Sequence, residues 1–185
     1  NSFVGNGEQV VRVSFGNNDA VGDAQTWGAL EVPWRITVRT FVGAALAIDP
    51  GAVLEFAQDA SLIVNNEGSL NAEGTAQLPI VFRGQQALSS YWKGLEFDTV
   101  SPENRLSNVQ FLHAGSQAWF GGSNSTSTVW VTGDGLLELS DVTFALTGGY
   151  AMIVSNNGAV TCSNVDDGGV MYYDGATASA SAICP

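Results

Sequence analysis

The sequence predicts an all-β fold built as a solenoid of short stacked strands, and three observations predict it. Apolar runs of three to six residues end in turns rich in Gly, Asn and Asp, the residues that accept positive φ most easily. One strand, turn and strand phrase returns in a single register as LIVNNEGSL, VWVTGDGLL and MIVSNNGAV. The stretch Leu46 to Gly84 shows no sign of a helix. A unit this short cannot bury its own apolar face, so neighbouring units must stack to make a core. An immunoglobulin-type sandwich also has many short strands, but it has no need of near-identical phrases in register.

Composition limits the function classes. The 185 residues suffice for one domain, 1–185, and 45% hydrophobic content excludes disorder. Eighteen acids against six scattered bases give a net charge of -12. Phosphate recognition needs Lys/Arg clusters, so nucleic acid is excluded as a partner, and anionic membrane surfaces are disfavoured for the same reason. No apolar run approaches the ~20 residues of a membrane-spanning helix, so no transmembrane segment is expected. The opening NSFVGNGEQVV lacks Met and any apolar leader, which points to a removed signal peptide or an excised domain.

Along the chain, residues 1–28 form an N-terminal cap or first strand, with VVRVSF (10–15) as its apolar segment. DPGAV (49–53), NEGSL (66–70), GDGLL (133–137) and NNGAV (156–160) are turns opening onto strands. Gly135 and Gly158 are 23 residues apart whereas Gly68 and Gly135 are 67 apart, so the repeat is interrupted between the latter. PIVF (79–82), NVQF (108–111), DVTF (141–144) and SNV (163–165) read as one strand of successive units. The interruptions are the polar loops GQQALSSY (84–91), DTVSPENR (98–105) and GSQAWFGGSNSTST (115–128), and residues 170–185 form a C-terminal cap. The expected inward side chains are Val53, Leu54, Phe56, Leu62, Val64, Leu70, Ile80, Phe82, Leu95, Phe97, Val109, Phe111, Val142 and Phe144. Asn65, Asn66, Asn156 and Asn157 are expected at turns.

VPWRITVRTFVGAALAIDPGAVLEF, LIVNNEGSLNAEGTAQLPIVFRG, YWKGLEF and NRLSNVQFLHAG together resemble bacterial right-handed parallel β-helix repeat proteins over about residues 30–170. The resemblance implies a single-stranded right-handed parallel β-helix with inserted loops, exported or held at the cell surface. It implies no particular activity, because one architecture carries many functions.

Chemistry must therefore come from what interrupts the repeat. His113, the sole histidine, reads as a strand-end structural residue, and no nucleophile-elbow glycine pattern surrounds any Ser. One His and two Cys cannot supply a zinc site. The paired acids Asp166 and Asp167 would converge only in a turn, where calcium is the possible cofactor. Glu96, Asp98, Asp134 and Glu138 are the other acids that a polysaccharide lyase or hydrolase could pair. Tyr91, Trp92, Trp119 and Phe120 are surplus aromatics in the polar loops and form the expected binding patch for a glycan or protein surface.

The expected function is a non-catalytic extracellular or cell-surface module that binds through its inserted loops. A structural subunit polymerising through its ends into a filament, or a homo-oligomer, and a polysaccharide-cleaving enzyme are the alternatives. Cys162 and Cys184 lie 22 residues apart, close to the 23-residue repeat, so stacked strands ~4.8 Å apart would bring them within disulfide reach. Such a staple persists in an oxidising compartment and agrees with export.

Overall fold

The computed structural model describes residues 7–13, 20–121, 125–168 and 173–174. The strands are β1 (Val11–Val13), β2 (Ala20–Val21), β3 (Gln25–Trp27), β4 (Trp34–Ile36), β5 (Arg39–Val42), β6 (Ala45–Ile48), β7 (Val53–Phe56), β8 (Ser61–Asn65), β9 (Ser69–Glu73), β10 (Ile80–Gly84), β11 (Gly94–Asp98), β12 (Arg105–Leu112), β13 (Ser127–Val131), β14 (Leu136–Ala145), β15 (Tyr150–Val154), β16 (Ala159–Asp166) and β17 (Tyr173–Asp174). Every ladder between them is parallel, and no α-helix occurs among the described residues. The segment VVRVSF contributes β1 at its centre, and residues 20–28 add β2 and β3.

Two sheets enclose one core. The smaller carries β2, β5, β8, β11, β13, β15 and β17 as successive neighbours. The larger has two limbs, β3-β6-β9 and β1-β4-β7-β10, which meet at β12. Arg105–Ser107 of β12 pairs with β9, whereas Val109–Leu112 pairs with β10. Between those pieces Asn108 takes φ +49°, and Asp141 of β14 and Asn164 of β16 repeat the bend at +54° and +50°. Asn and Asp tolerate this left-handed conformation better than other residues with a Cβ, so the bend falls where the sequence supplies them. The corner also stacks on itself, because the Asn164 amide donates to the Asp141 carboxylate.

Inward positions form columns. Leu54, Phe82, Phe111 and Phe144 follow one another in register. Ring centroids are 5.2 Å apart for Phe82 and Phe111, and 5.1 Å for Phe111 and Phe144, inside the range of favourable aromatic pairs. In the smaller sheet Thr40, Leu62, Leu95, Val129 and Met152 form one column and Val42, Val64, Phe97, Val131 and Val154 the next. The expected inward residues are buried with one correction: Val53 is half-exposed and registers with Val81 on the outer side, because its neighbour Leu54 takes the core position. Trp92 is also core. Phe56 registers with Gly84, which has no side chain to offer it, and the Trp92 ring stacks on Phe56 at 4.0 Å instead. Its indole N–H donates to Leu112 O at 2.8 Å.

The insertion 98–105 brings a polar residue to a core-edge position. Asn104 is 1% exposed; its Oδ1 accepts from Leu70 N at 3.0 Å and its Nδ2 donates to Leu136 O at 3.0 Å. It thereby occupies the backbone groups of the strands on either side, which a leucine there would leave unpaired.

The bases, scattered in the sequence, are gathered by the fold. Arg12, Arg35 and Arg83 share one outer column with Glu55. Glu55 is 6% exposed and pairs with Arg35 at 2.5 Å and Arg83 at 3.2 Å, while Glu8 meets Arg12 at 2.5 Å and Arg35 at 3.5 Å. Cys162 sits on β16 in register with Leu139 and packs against the core, and its expected partner Cys184 lies outside the described residues.

The column of phenylalanines sets the sensitivity of the fold. Phe111 is fully buried between two other rings, so Phe111→Ala removes its transfer energy and leaves a cavity. Urea unfolding of that variant is expected to show a loss of about 3–5 kcal/mol.

Candidate functional site on the outer face of the smaller sheet

Alternation along β8, β11 and β13 turns Ser61 and Ile63, Gly94 and Glu96, and Thr128 and Trp130 away from the inward columns. The insertion after β12 folds back onto this face. Ala118 and Thr126 form an antiparallel bridge, Trp119 N donates to Ser125 O at 3.0 Å, and the segment between them lies against Trp130. Ring centroids are 5.7 Å apart for Trp119 and Trp130, and 5.3 Å for Phe120 and Trp130.

Within this trio the rings have different duties. The Trp119 indole donates to Ser127 O at 3.0 Å, and the Lys93 ammonium lies 4.3 Å from the centroid of its ring. Trp119 is therefore half-buried and pinned. Phe120 is 41% exposed and has no comparable anchor for its ring beyond Trp130. Trp130 itself is fixed by its N–H, which donates to Ser155 Oγ at 2.9 Å. Sequence reasoning missed Trp130 because it lies inside a strand; the signal was its place in VWVTG, between two inward valines.

Charges line the same face. Burial pulls the Lys93 ammonium below the usual lysine range; Glu96 opposes that shift and Arg39 adds to it. Burial pushes the Glu96 carboxyl above the usual carboxylate range, with Lys93 opposing and Asp98 adding. Lys93, Glu96 and Arg39 thus act on one another in surroundings where water solvates them incompletely.

The other sequence candidates are dispersed. Tyr91 stands at the corner, its ring against Gly84 and its N donating to His113 O at 2.6 Å. Trp92, fully buried, has no face to offer a ligand. Asp166 is exposed and its Oδ1 accepts from Gly168 N at 3.0 Å, a turn contact, and Asp167 is half-buried. Among the described residues no group of three or more His, Cys, Asp or Glu is arranged to hold a metal. Asp134 accepts from Asn157 at 3.5 Å, and Glu138 lies on the larger sheet, paired loosely with Arg105 at 3.5 Å. Glu138 and Arg105 line a shallow groove of about 240 Å³ with Glu73, Ser107 and Ser140. Glu96 and Asp98, two apart on β11, are the acids that the fold leaves close enough to influence each other.

Comparison with protein-family models, with curated proteins and with solved structures gives no match to this chain.

His113 gives this region a pH dependence. It is 7% exposed, takes φ +69°, and its Nδ1 has no hydrogen-bond partner among the described residues. Burial, helped by Arg83, holds its pKa below the ordinary histidine value, so the folded state favours the neutral ring. A depressed folded pKa gives stability that is complete above the unfolded value of about 6.5 and is lost as pH falls from there towards the folded value. Melting temperatures from pH 8 to pH 5 are expected to fall more steeply for the wild type than for His113→Asn, a residue that accepts positive φ. Parallel curves would remove His113 as the cause.

Proposed function

We propose that this chain is a right-handed parallel β-helix module, extracellular or at the cell surface, that binds a glycan or protein surface through its inserted loops without catalysing a reaction. Support for the β-helix is the constant step between stacked residues where no loop intervenes: Val42 to Val64 is 22 residues, and Val131 to Val154 and Leu139 to Cys162 are 23. Parallel crossovers within a sheet are right-handed in about 98% of cases, which favours that hand.

The observation that carries the binding reading is the exposed Phe120 ring, held up by the anchored pair Trp119 and Trp130. A rigid aromatic platform suits the apolar face of a sugar ring, or the centre of a protein contact, and costs little ordering entropy on binding. Phe120→Ala is expected to weaken binding to cell-wall or matrix material at least tenfold while moving the melting temperature by less than about 2 °C. Trp119→Ala is expected to lower both, because it removes the ring that packs on Trp130 and Lys93. Retained binding by Phe120→Ala would place recognition elsewhere, and release of reducing sugar ends by the wild type would turn Glu96 and Asp98 into candidate catalytic groups.

The export half of the reading rests on Cys162 and Cys184. A loop of about 22 residues closed by a disulfide contributes roughly 3 kcal/mol in the chain-entropy model, enough to hold a chain end rich in small residues. Intact mass after alkylation, with and without reductant, is expected to show no free thiol until reduction. Two free thiols without reductant would remove this support for an extracellular location.

A further inference from the structure

The outer face of the smaller sheet buries more polar groups than its strands use. Ser61 and Thr128 are 1% and 0% exposed, yet Ser61 Oγ and Thr128 Oγ1 have no hydrogen-bond partner among the described residues. Both flank Gly94: Ser61 registers with it directly, and a Cβ on Gly94 would lie 2.2 Å from Thr128 O. A third such oxygen, Ser116 Oγ, belongs to the residue whose N donates to Trp92 O at 3.0 Å, just before Lys93 and Gly94. Three hydroxyls thus gather around a position with no side chain. A buried polar group without a partner carries its full desolvation cost, so a cluster of them calls for an explanation.

The charged neighbours narrow the explanation. Arg39 registers with Ser61 in the same column and lies over Phe41, at 4.9 Å from the ring centroid. Lys93 adjoins Gly94 and touches Trp119. Glu96 and Asp98 are the acids on β11, and Asp98 is engaged at the far end of that strand against Gly133. Arginine and lysine only donate, hydroxyls donate and accept, and a carboxylate only accepts. A ligand meeting all of these carries an oxyanion for the two cations, hydroxyls for Ser61, Ser116, Thr128 and Glu96, and an apolar face for Trp119 and Phe120.

Resting on the binding function proposed above, we infer that the ligand of this face is a sugar bearing one oxyanion, with Arg39 and Lys93 holding the anion and the hydroxyls around Gly94 holding the ring hydroxyls. The whole protein's charge of -12 opposes an anion only weakly here, because charges more than about 8 Å away are largely screened at physiological salt. Two cations within the site then outweigh distant acids.

Titration calorimetry of the full chain with glucose, glucuronate, glucose 6-sulfate and inorganic sulfate tests this. One or both acidic sugars are expected to bind at least tenfold more tightly than glucose and than sulfate, with a preference that shrinks at high salt; the stronger of the two identifies the anion. Arg39→Gln, at an exposed position, is expected to abolish the preference while leaving the melting temperature unchanged. Thr128→Val is expected to weaken acidic-sugar binding severalfold yet raise the melting temperature, since it removes an unpartnered hydroxyl. Equal affinity for glucose and the acidic sugars, no binding of any probe, or no effect of Arg39→Gln would each overturn the inference, as would a lower melting temperature in Thr128→Val, which would mean that ordered water already satisfies the hydroxyls. Glucose binding that depends on Phe120 but not on Arg39 would leave the binding function standing and remove this inference alone.

Discussion

Each inward side chain in this molecule must meet its counterpart one strand away, 4.8 Å or so along the stack, and the rest of the structure depends on that parallel register. In a parallel ladder, like sits on like: Phe82 on Phe111 on Phe144, Leu62 on Leu95, Val64 next to Phe97. A slip of one residue would turn a whole strand's apolar set outward, so register is held by every column at once. The corners serve the same end. Asn108, Asp141 and Asn164 turn the chain at one place in three successive strands, and a residue poorly suited to positive φ at any of them would set bending strain against core register.

Because only register is constrained, chain between strands is free to lengthen. The step from Val64 to Phe97 is 33 residues and that from Phe97 to Val131 is 34, against 22 from Val42 to Val64, yet all five residues occupy one column. Loop closure entropy rises slowly with length, so the added residues cost little. They do require local repair. Trp92 fills the space that Gly84 leaves beside Phe56, and Asn104 satisfies backbone groups at the edge of its column. The same insertion that carries Trp92 also delivers Lys93 to the outer face, so one loop serves packing on one side and charge on the other.

The columns, the interrupted repeat and the positions of the loops were legible in the sequence because strand phrases recur with their turn residues attached. The strand set Ile80, Val109, Val142 and Val165 is found stacked as its phrases suggested. Faces were less legible. Val53 and Leu54 are adjacent aliphatics, and composition does not say which one points inward; Trp92 and Trp119 are both loop tryptophans, and only the missing side chain at Gly84 separates a core ring from a surface one. The basic column was invisible for another reason: Arg12, Arg35 and Arg83 are separated by 23 and 48 residues, and their alignment needs the register of three ladders.

That alignment explains how a strongly acidic chain places its few cations. Stacked like charges repel, so a column of three arginines is tolerable only with acids between and beside them, and Glu55 and Glu8 occupy those places. Arg35 and Glu55 are well shielded from water, where removing one partner of a pair costs far more than at the exposed Arg105 and Glu138. On the larger sheet, then, the cations are neutralised within the fold. On the smaller sheet Arg39 and Lys93 face Phe41, Trp119 and a partly protonation-prone Glu96, with no carboxylate forming an ion pair with either among the described residues. The two groups of bases differ in what completes them: the first is satisfied by the chain's own acids, and the second retains donors that only something outside the fold can use.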